Sequence, residues 1–208
     1  MAWAPDYCTE DELKAFVRIA DDLDDDQVAL AVTAASRAVD QATGRQFGLV
    51  ADFVEARTYV PRYDARRLCW TVDIDDLMTT SGMEVAFDED GDGTFSADIT
   101  DYVLRPSNAA LEGRPWTELV VRATSAVQPS GPDESVRVTA CWGWTSVPSA
   151  VKEATLLQAS RLLARRDSPY GVAGSPDAGS EVRLLARVDP DVAVALRLYR
   201  RRGRRVFA

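Results

Sequence analysis

The spacing of apolar residues changes period twice along this chain, and that double change bounds its fold. Val28, Ala31, Val32, Ala35, Ala38, Val39 and Ala42 recur at the i, i+3, i+4, i+7 spacing of one helix face. From about Phe47 to Trp144 the period falls to two. Val54, Ala56, Thr58 and Val60 alternate up to Pro61, and Leu68, Trp70, Val72 and Ile74 alternate next. Further short runs follow at Met83–Phe87, Tyr102–Leu104, Leu119–Ala123 and Val136–Trp142. Turn formers separate them in DEDGDG, PSNAALEGRP and QPSGPDES. Helical spacing returns after Pro148, with Val151, Ala154, Leu156, Leu157, Ala159, Leu162, Leu163 and Ala164. The expectation is an α+β fold. A helical bundle of two N-terminal and two C-terminal helices carries an inserted antiparallel β module, a small sandwich or barrel of five or six strands. The expected parts are residues 1–47, 48–147 and 148–208.

Local chemistry sets the helix ends. Thr9 and Glu12 have the spacing of a capping box, ahead of Leu13, Phe16 and Val17. The run Asp21-Asp22-Leu23-Asp24-Asp25-Asp26 breaks that helix and starts the next, with Asp24 as N-cap and acids near the positive helix end. Small side chains along the second helix permit a close neighbour, and Gly44 is placed to stop it. Ser149 is placed to cap the third helix, whose broad apolar arc predicts burial on more than one side. That helix ends at Arg165-Arg166-Asp167, before Ser168-Pro169. A long loop with Gly171, Gly174, Pro176 and Gly179 leads to Asp189-Pro190-Asp191, which opens a last helix. Val192, Ala195, Leu196 and Tyr199 form its apolar face, and Arg200, Arg201, Arg202, Gly203, Arg204, Arg205, Val206 and Phe207 follow.

Composition narrows the chemistry. With 46% hydrophobic and 27% charged residues over 208 positions, the chain has enough apolar surface to build a core. No run approaches a membrane span. The N-terminus lacks a basic and apolar leader, so synthesis in the cytosol is expected. There is no histidine, which removes the commonest general base and the commonest zinc ligand. Cys8, Cys69 and Cys141 are far apart and read as free thiols. No Walker, GxSxG or GxGxxG motif is present. Carboxylates are abundant, but nothing specifies a glycosidase-type pair. No enzyme, cofactor or metal centre is expected.

Two motifs invite a ligand. Asp88, Asp90 and Asp92 with Gly93 match the opening of a calcium loop. The twelfth position falls on Ile99, where a bidentate Glu is required, and the flanks read as strands. A β-hairpin tip is the favoured reading. Trp142-Gly143-Trp144 offers two rings, read as a strand end packed under a helix rather than a ligand platform.

Net charge is −9 and polarised. Residues 1–26 carry nine acids against two bases, and residues 187–208 carry seven Arg against two Asp. Opposite ends of this kind favour head-to-tail or hetero-partner contacts. The Arg cluster ending in Val206 and Phe207 reads as a basic stem with an apolar plug, suited to a protein groove more than to DNA.

Four stretches carry a resemblance. They are Tyr7-Cys8-Thr9 with Glu12-Leu13, and Ala34 to Val39 through Gly44-Arg45-Gln46-Phe47. Cys141-Trp142-Gly143-Trp144 through Val147-Pro148 and Val151-Lys152 is the third. Arg166 to Val172, with Val182-Arg183 and Asp189-Pro190-Asp191-Val192, is the fourth. In order and spacing the chain resembles the head-to-tail connector, or adaptor, proteins of long-tailed bacteriophages. The resemblance implies a structural virion protein at the head–tail interface. It implies a twelve-membered homo-oligomeric ring between the portal protein and the next neck or tail protein. Genome DNA would pass through the ring without specific binding, along a negative channel wall. The C-terminal segment of such proteins docks onto the portal, which puts Tyr199, Arg200, Arg201, Arg202, Arg204, Arg205 and Phe207 at that contact. Another neck or tail-end protein, such as a stopper or tail-completion protein, is the alternative, ahead of a calcium-binding β module.

Overall fold

The computed structural model describes residues 4–50, 53–129, 134–166, 172–173, 182–183 and 190–201. The fold is mixed α+β, with helices at both ends of the chain and antiparallel sheets between them. Its residues divide into two compact units. One draws on Met1–Phe47 and Val147–Gly203, the other on Gly48–Ser146.

The first unit is built from α1 (Glu10–Val17), α2 (Asp25–Thr43), α3 (Ser149–Arg166) and α4 (Pro190–Leu196), which continues into a 3-10 turn at Arg197–Tyr199. The capping box forms as its spacing predicts. Thr9 Oγ1 accepts from Glu12 N–H at 3.2 Å, and Glu12 Oε2 accepts from Thr9 N–H at 3.1 Å. Asp24 holds the N-cap position of α2, but its side chain makes no cap hydrogen bond. Gly44 ends α2 with φ 65°, and its N–H reaches the Asp40 carbonyl. Ser149 is the first residue of α3 rather than its cap, and the Pro148 carbonyl accepts from Val151 and Lys152. The α2 stripe delivers Val28, Ala31, Val32, Ala35 and Val39 to the interior, while Ala38 and Ala42 are half-buried. They pack with Cys8, Leu13 and Ala159, and α3 touches α1, α2 and α4. Lys152 on α3 donates to Glu12 on α1 and ties the capping box to the neighbouring helix.

Among its described residues the second unit has eight strands in two four-stranded antiparallel sheets, more than the five or six expected. They are β1 (Glu55–Tyr59), β2 (Pro61–Asp64), β3 (Cys69–Leu77), β4 (Glu84–Phe87), β5 (Ala97–Asp98), β6 (Tyr102–Arg105), β7 (Trp116–Val121) and β8 (Val136–Ala140). One sheet runs β1-β8-β4-β5 and the other β2-β3-β7-β6. The extra strands are β5, with two residues, and β2, which Pro61 opens instead of closing β1. Pro61 is tolerated because β2 is an edge strand, where one missing donor breaks no interior ladder.

The phase of β1 is also opposite to expectation. Val54, Ala56, Thr58 and Val60 are exposed, whereas Tyr59 is buried and Arg57 half-buried. The buried volume of Tyr59 and its bond to Asp75 outweigh two small side chains. Leu68 does not join the β3 alternation. It sits in the preceding turn with φ 52° and is exposed. The core of this unit is Val72, Ile74, Leu77, Val85, Phe87, Leu119, Val121, Val136, Val138 and Trp142, gathered from both sheets. In the segment between α3 and α4, Val172–Ala173 (β9) pairs antiparallel with Val182–Arg183 (β10), where the sequence reads as loop.

Candidate functional site

A network of side chains gathers at the exit of α2, and Tyr199 and Arg201 are fastened to it. Tyr7 begins the construction. It is buried, and its N–H donates to Ser36 Oγ at 3.1 Å. Its hydroxyl donates to Asp40 and accepts from Phe47 N–H at 3.0 Å. Arg37 approaches Asp40 at 3.2 Å and donates to the Pro5 carbonyl. Burial pushes the Asp40 carboxyl up, against the opposing pull of Tyr7, Arg37 and Gln46. Burial, then the Asp40 bond, pushes the Tyr7 phenol well above its ordinary range.

Phe47 extends this network to the C-terminus. Its ring meets Tyr7 edge-on at 5.5 Å and Tyr199 edge-on at 5.9 Å. Arg45 Nε donates to the Tyr199 carbonyl at 2.8 Å, and Arg201 N–H donates to the Thr43 carbonyl at 2.7 Å. Thr43 is the last residue of α2, whose final carbonyls have no partner within the helix. A strand-like segment therefore caps the helix from outside. Val192 and Leu196 on α4 are buried and set its approach.

This arrangement sorts the sequence-expected docking residues. Tyr199 is half-buried and committed to Phe47 and Arg45. Arg201 is half-buried and bonded through its backbone to Thr43. Arg200, between them, is exposed. Arg202, Arg204, Arg205 and Phe207 lie outside the described residues. Sequence reasoning missed the roles of Tyr7, Asp40 and Arg45. Arg45 and Phe47 stood in a motif that carried the resemblance, but no periodicity linked them to Tyr199.

The other sequence candidates resolve into local structure. The Asp88 carboxylate accepts from Gly91 and Gly93 N–H, each at 2.8 Å, and Asp92 from Thr94 N–H at 2.7 Å. The acids thus shape a loop between β4 and β5 that is longer than a tight hairpin turn. Among the described residues, no group of three or more Cys, Asp or Glu is placed to hold a metal ion. Trp142 and Trp144 are buried within the β unit, not displayed. Trp142 Nε1 donates to the Glu55 carbonyl at 2.7 Å, and Trp144 Nε1 to the Asp76 carboxylate at 2.8 Å. Arg57 binds Asp75 and Glu55 at 2.8 and 2.9 Å and lies over the Trp142 ring. Burial raises the Cys8 thiol to about 11, which keeps it protonated and a poor nucleophile. Among the described residues, no helix is long and apolar enough to cross a membrane.

No protein-family model matches the sequence, and no curated protein matches it.

Proposed function

We propose that this chain is a head-to-tail adaptor of a long-tailed bacteriophage. Its four helices act as a bundle and the β unit as the insertion between α2 and α3. Copies form a ring below the portal protein, extend the DNA channel and present a surface to the next neck or tail protein. The role is structural, and its location is the virion, at the head–tail interface.

One observation carries the reading. Tyr199 and Arg201 are bonded to the α2 exit, through Arg45, Phe47 and the Thr43 carbonyl. In the sequence, Arg202, Arg204, Arg205 and Phe207 come next. A basic stem with an aromatic end, issued from a rigid base, suits insertion into an acidic groove with an apolar floor. Tyr199 and Arg201 then serve as the base, and the residues after them as the plug. The acidic remainder suits a channel wall, because negative charge repels DNA phosphates and lets the genome slide.

The test is a pull-down with the portal protein of the source phage, comparing the full chain with one lacking residues 202–208. The truncation is expected to lose portal binding and keep the parent melting temperature. Binding that survives the truncation overturns the docking role. Immunogold label confined to the head–tail junction of purified virions supports the adaptor reading, and label elsewhere sinks it.

A further inference from the structure

Residues 4–8, ahead of the Thr9 cap of α1, form neither helix nor strand, yet α2 grips them. Thr33 Oγ1 donates to the Asp6 carboxylate at 3.1 Å, and Arg37 donates to the Pro5 carbonyl. Ser36 Oγ accepts from Tyr7 N–H at 3.1 Å, and Asp40 accepts from the Tyr7 hydroxyl. Thr33, Ser36, Arg37 and Asp40 have the i, i+3, i+4, i+7 spacing of one helix face. The segment therefore lies along α2 as a strap, and each of these bonds uses an α2 side chain. Chain ends held in this way open locally at a lower cost than the core they rest on.

The C-terminal segment is held at the place where this strap ends. Its bonds fall on Thr43–Phe47: Arg201 N–H on the Thr43 carbonyl, the Tyr199 carbonyl on Arg45 Nε, and the Tyr199 ring on Phe47. Tyr7 holds the same five residues. Its hydroxyl accepts from Phe47 N–H at 3.0 Å, and its ring meets Phe47 edge-on. Asp40, which binds Tyr7 through its carboxylate, accepts from Gly44 N–H through its carbonyl at 2.7 Å. The helix stops at Gly44, so Arg45 and Phe47 lie beyond its backbone ladder. Phe47 is then the shared member, with Tyr7 on one ring edge contact and Tyr199 on the other.

We infer that residues 5–8 are a clasp: their seating on α2 orders the Tyr199–Arg201 segment, and lifting either end of the chain loosens the other. Coupling of this kind is reciprocal, because both ends draw on one placement of Thr43–Phe47. It gives the base of the C-terminal tail an on–off control at the far end of the sequence. The inference deepens the docking role proposed above, but it rests on contacts within the chain. Its test uses no portal protein, so the two readings fail separately.

The test is native-state amide exchange followed by NMR on the full chain and on three variants. In Y7F, which keeps the ring and loses the hydroxyl, exchange of the Arg201 amide is expected to rise roughly tenfold. In Y199A, which loses the ring on Phe47, exchange of the Tyr7 amide is expected to rise by a similar factor of roughly ten. V28A removes buried volume at the start of α2, away from Thr43–Phe47, and serves as the control for general loosening. It is expected to leave both amides within about twofold of the parent. Parent-like exchange of Arg201 in Y7F overturns the clasp. An equal rise in V28A also overturns it, because the whole unit would then be loosening. Parent-like exchange of Tyr7 in Y199A overturns it as well. Tyr199 is half-buried near the end of the chain, so Y199A is expected to fold and decides the matter if Y7F does not.

Discussion

Removing one oxygen atom from Tyr7 is the sharpest test of the α2 exit. Tyr7→Phe keeps the ring, and with it the edge-on contact to Phe47 at 5.5 Å. It deletes a hydroxyl that donates to the Asp40 carboxylate and accepts from Phe47 N–H at 3.0 Å. A hydrogen bond to a charged group contributes roughly 1.5–3 kcal/mol, and stripping a buried N–H of its acceptor costs roughly 1–3 kcal/mol more. Arg37 and Gln46 still stabilise Asp40, which offsets part of the loss. The net expectation is about 2–4 kcal/mol, a large share of a typical folding free energy. At a urea slope of roughly 2 kcal/mol per molar, the midpoint falls by about 1–2 M. Far-UV dichroism at a helix band is the assay, because four of the five tryptophans, Trp70, Trp116, Trp142 and Trp144, belong to the β unit. A second readout is alkaline pH. The folded Tyr7 phenol is raised above its unfolded value, so it binds its proton longer when folded. Its stabilisation is present below the ordinary tyrosine value and is lost as pH rises through the folded one. The parent's advantage over the variant therefore shrinks in that range. An unfolding free energy unchanged to within about 0.5 kcal/mol would refute the account of the exit as a hydrogen-bonded network.

Two further substitutions probe the capping box and the β unit. Glu12 is pulled below the ordinary glutamate range by Lys152 and by the Thr9 N–H. Its stabilisation is present above the unfolded value and is lost as pH falls through the lower folded one. Glu12→Gln is therefore expected to flatten the acid side of the stability–pH curve, and an identical curve refutes the pairing. Gly143 adopts φ 103°, and a Cβ there would stand 2.3 Å from the Gly48 carbonyl oxygen. Gly143→Ala is expected to cost upwards of about 3 kcal/mol in the tryptophan-monitored transition, because backbone rather than a flexible side chain must move. A loss under about 1 kcal/mol would show that the Gly48–Val50 segment yields easily.

What the sequence revealed follows the range of the interactions. The capping box and Gly44 are decided within four residues, and both read correctly. The α2 stripe is likewise local, since a fixed helical period sorts Val28, Ala31, Val32, Ala35 and Val39 without reference to what they touch. The phase of β1 was not legible. Ala56 and Thr58 compete with Arg57 and Tyr59 for the inner face, and the choice rests on partners elsewhere in the chain. Tyr59 finds Asp75 on β3 and the ring of Trp142. The site was legible only in its last part. Arginines before an aromatic are visible in any reading. Their base is not, because Asp40 meets Tyr7 across 33 positions and Arg45 meets Tyr199 across 154.

That hidden base bears on how a basic tail could bind tightly. Ordering the backbone of one residue costs roughly 1–2 kcal/mol, and a tail that becomes fixed only on docking bears that cost at every position. Here Tyr199 and Arg201 are already fixed, by the Arg45 and Phe47 side chains and by the Thr43 carbonyl. An anchored tail searches a small volume, so a groove within its reach sees it at high effective concentration. Repeated around a ring, each anchor would present its plug at the same height and angle. The binding of many weak tails would then add as a multivalent contact. If the proposed docking holds, its strength would reside as much in Tyr7, Asp40 and Arg45, which fix Tyr199 and its surroundings, as in the arginines that would meet the partner.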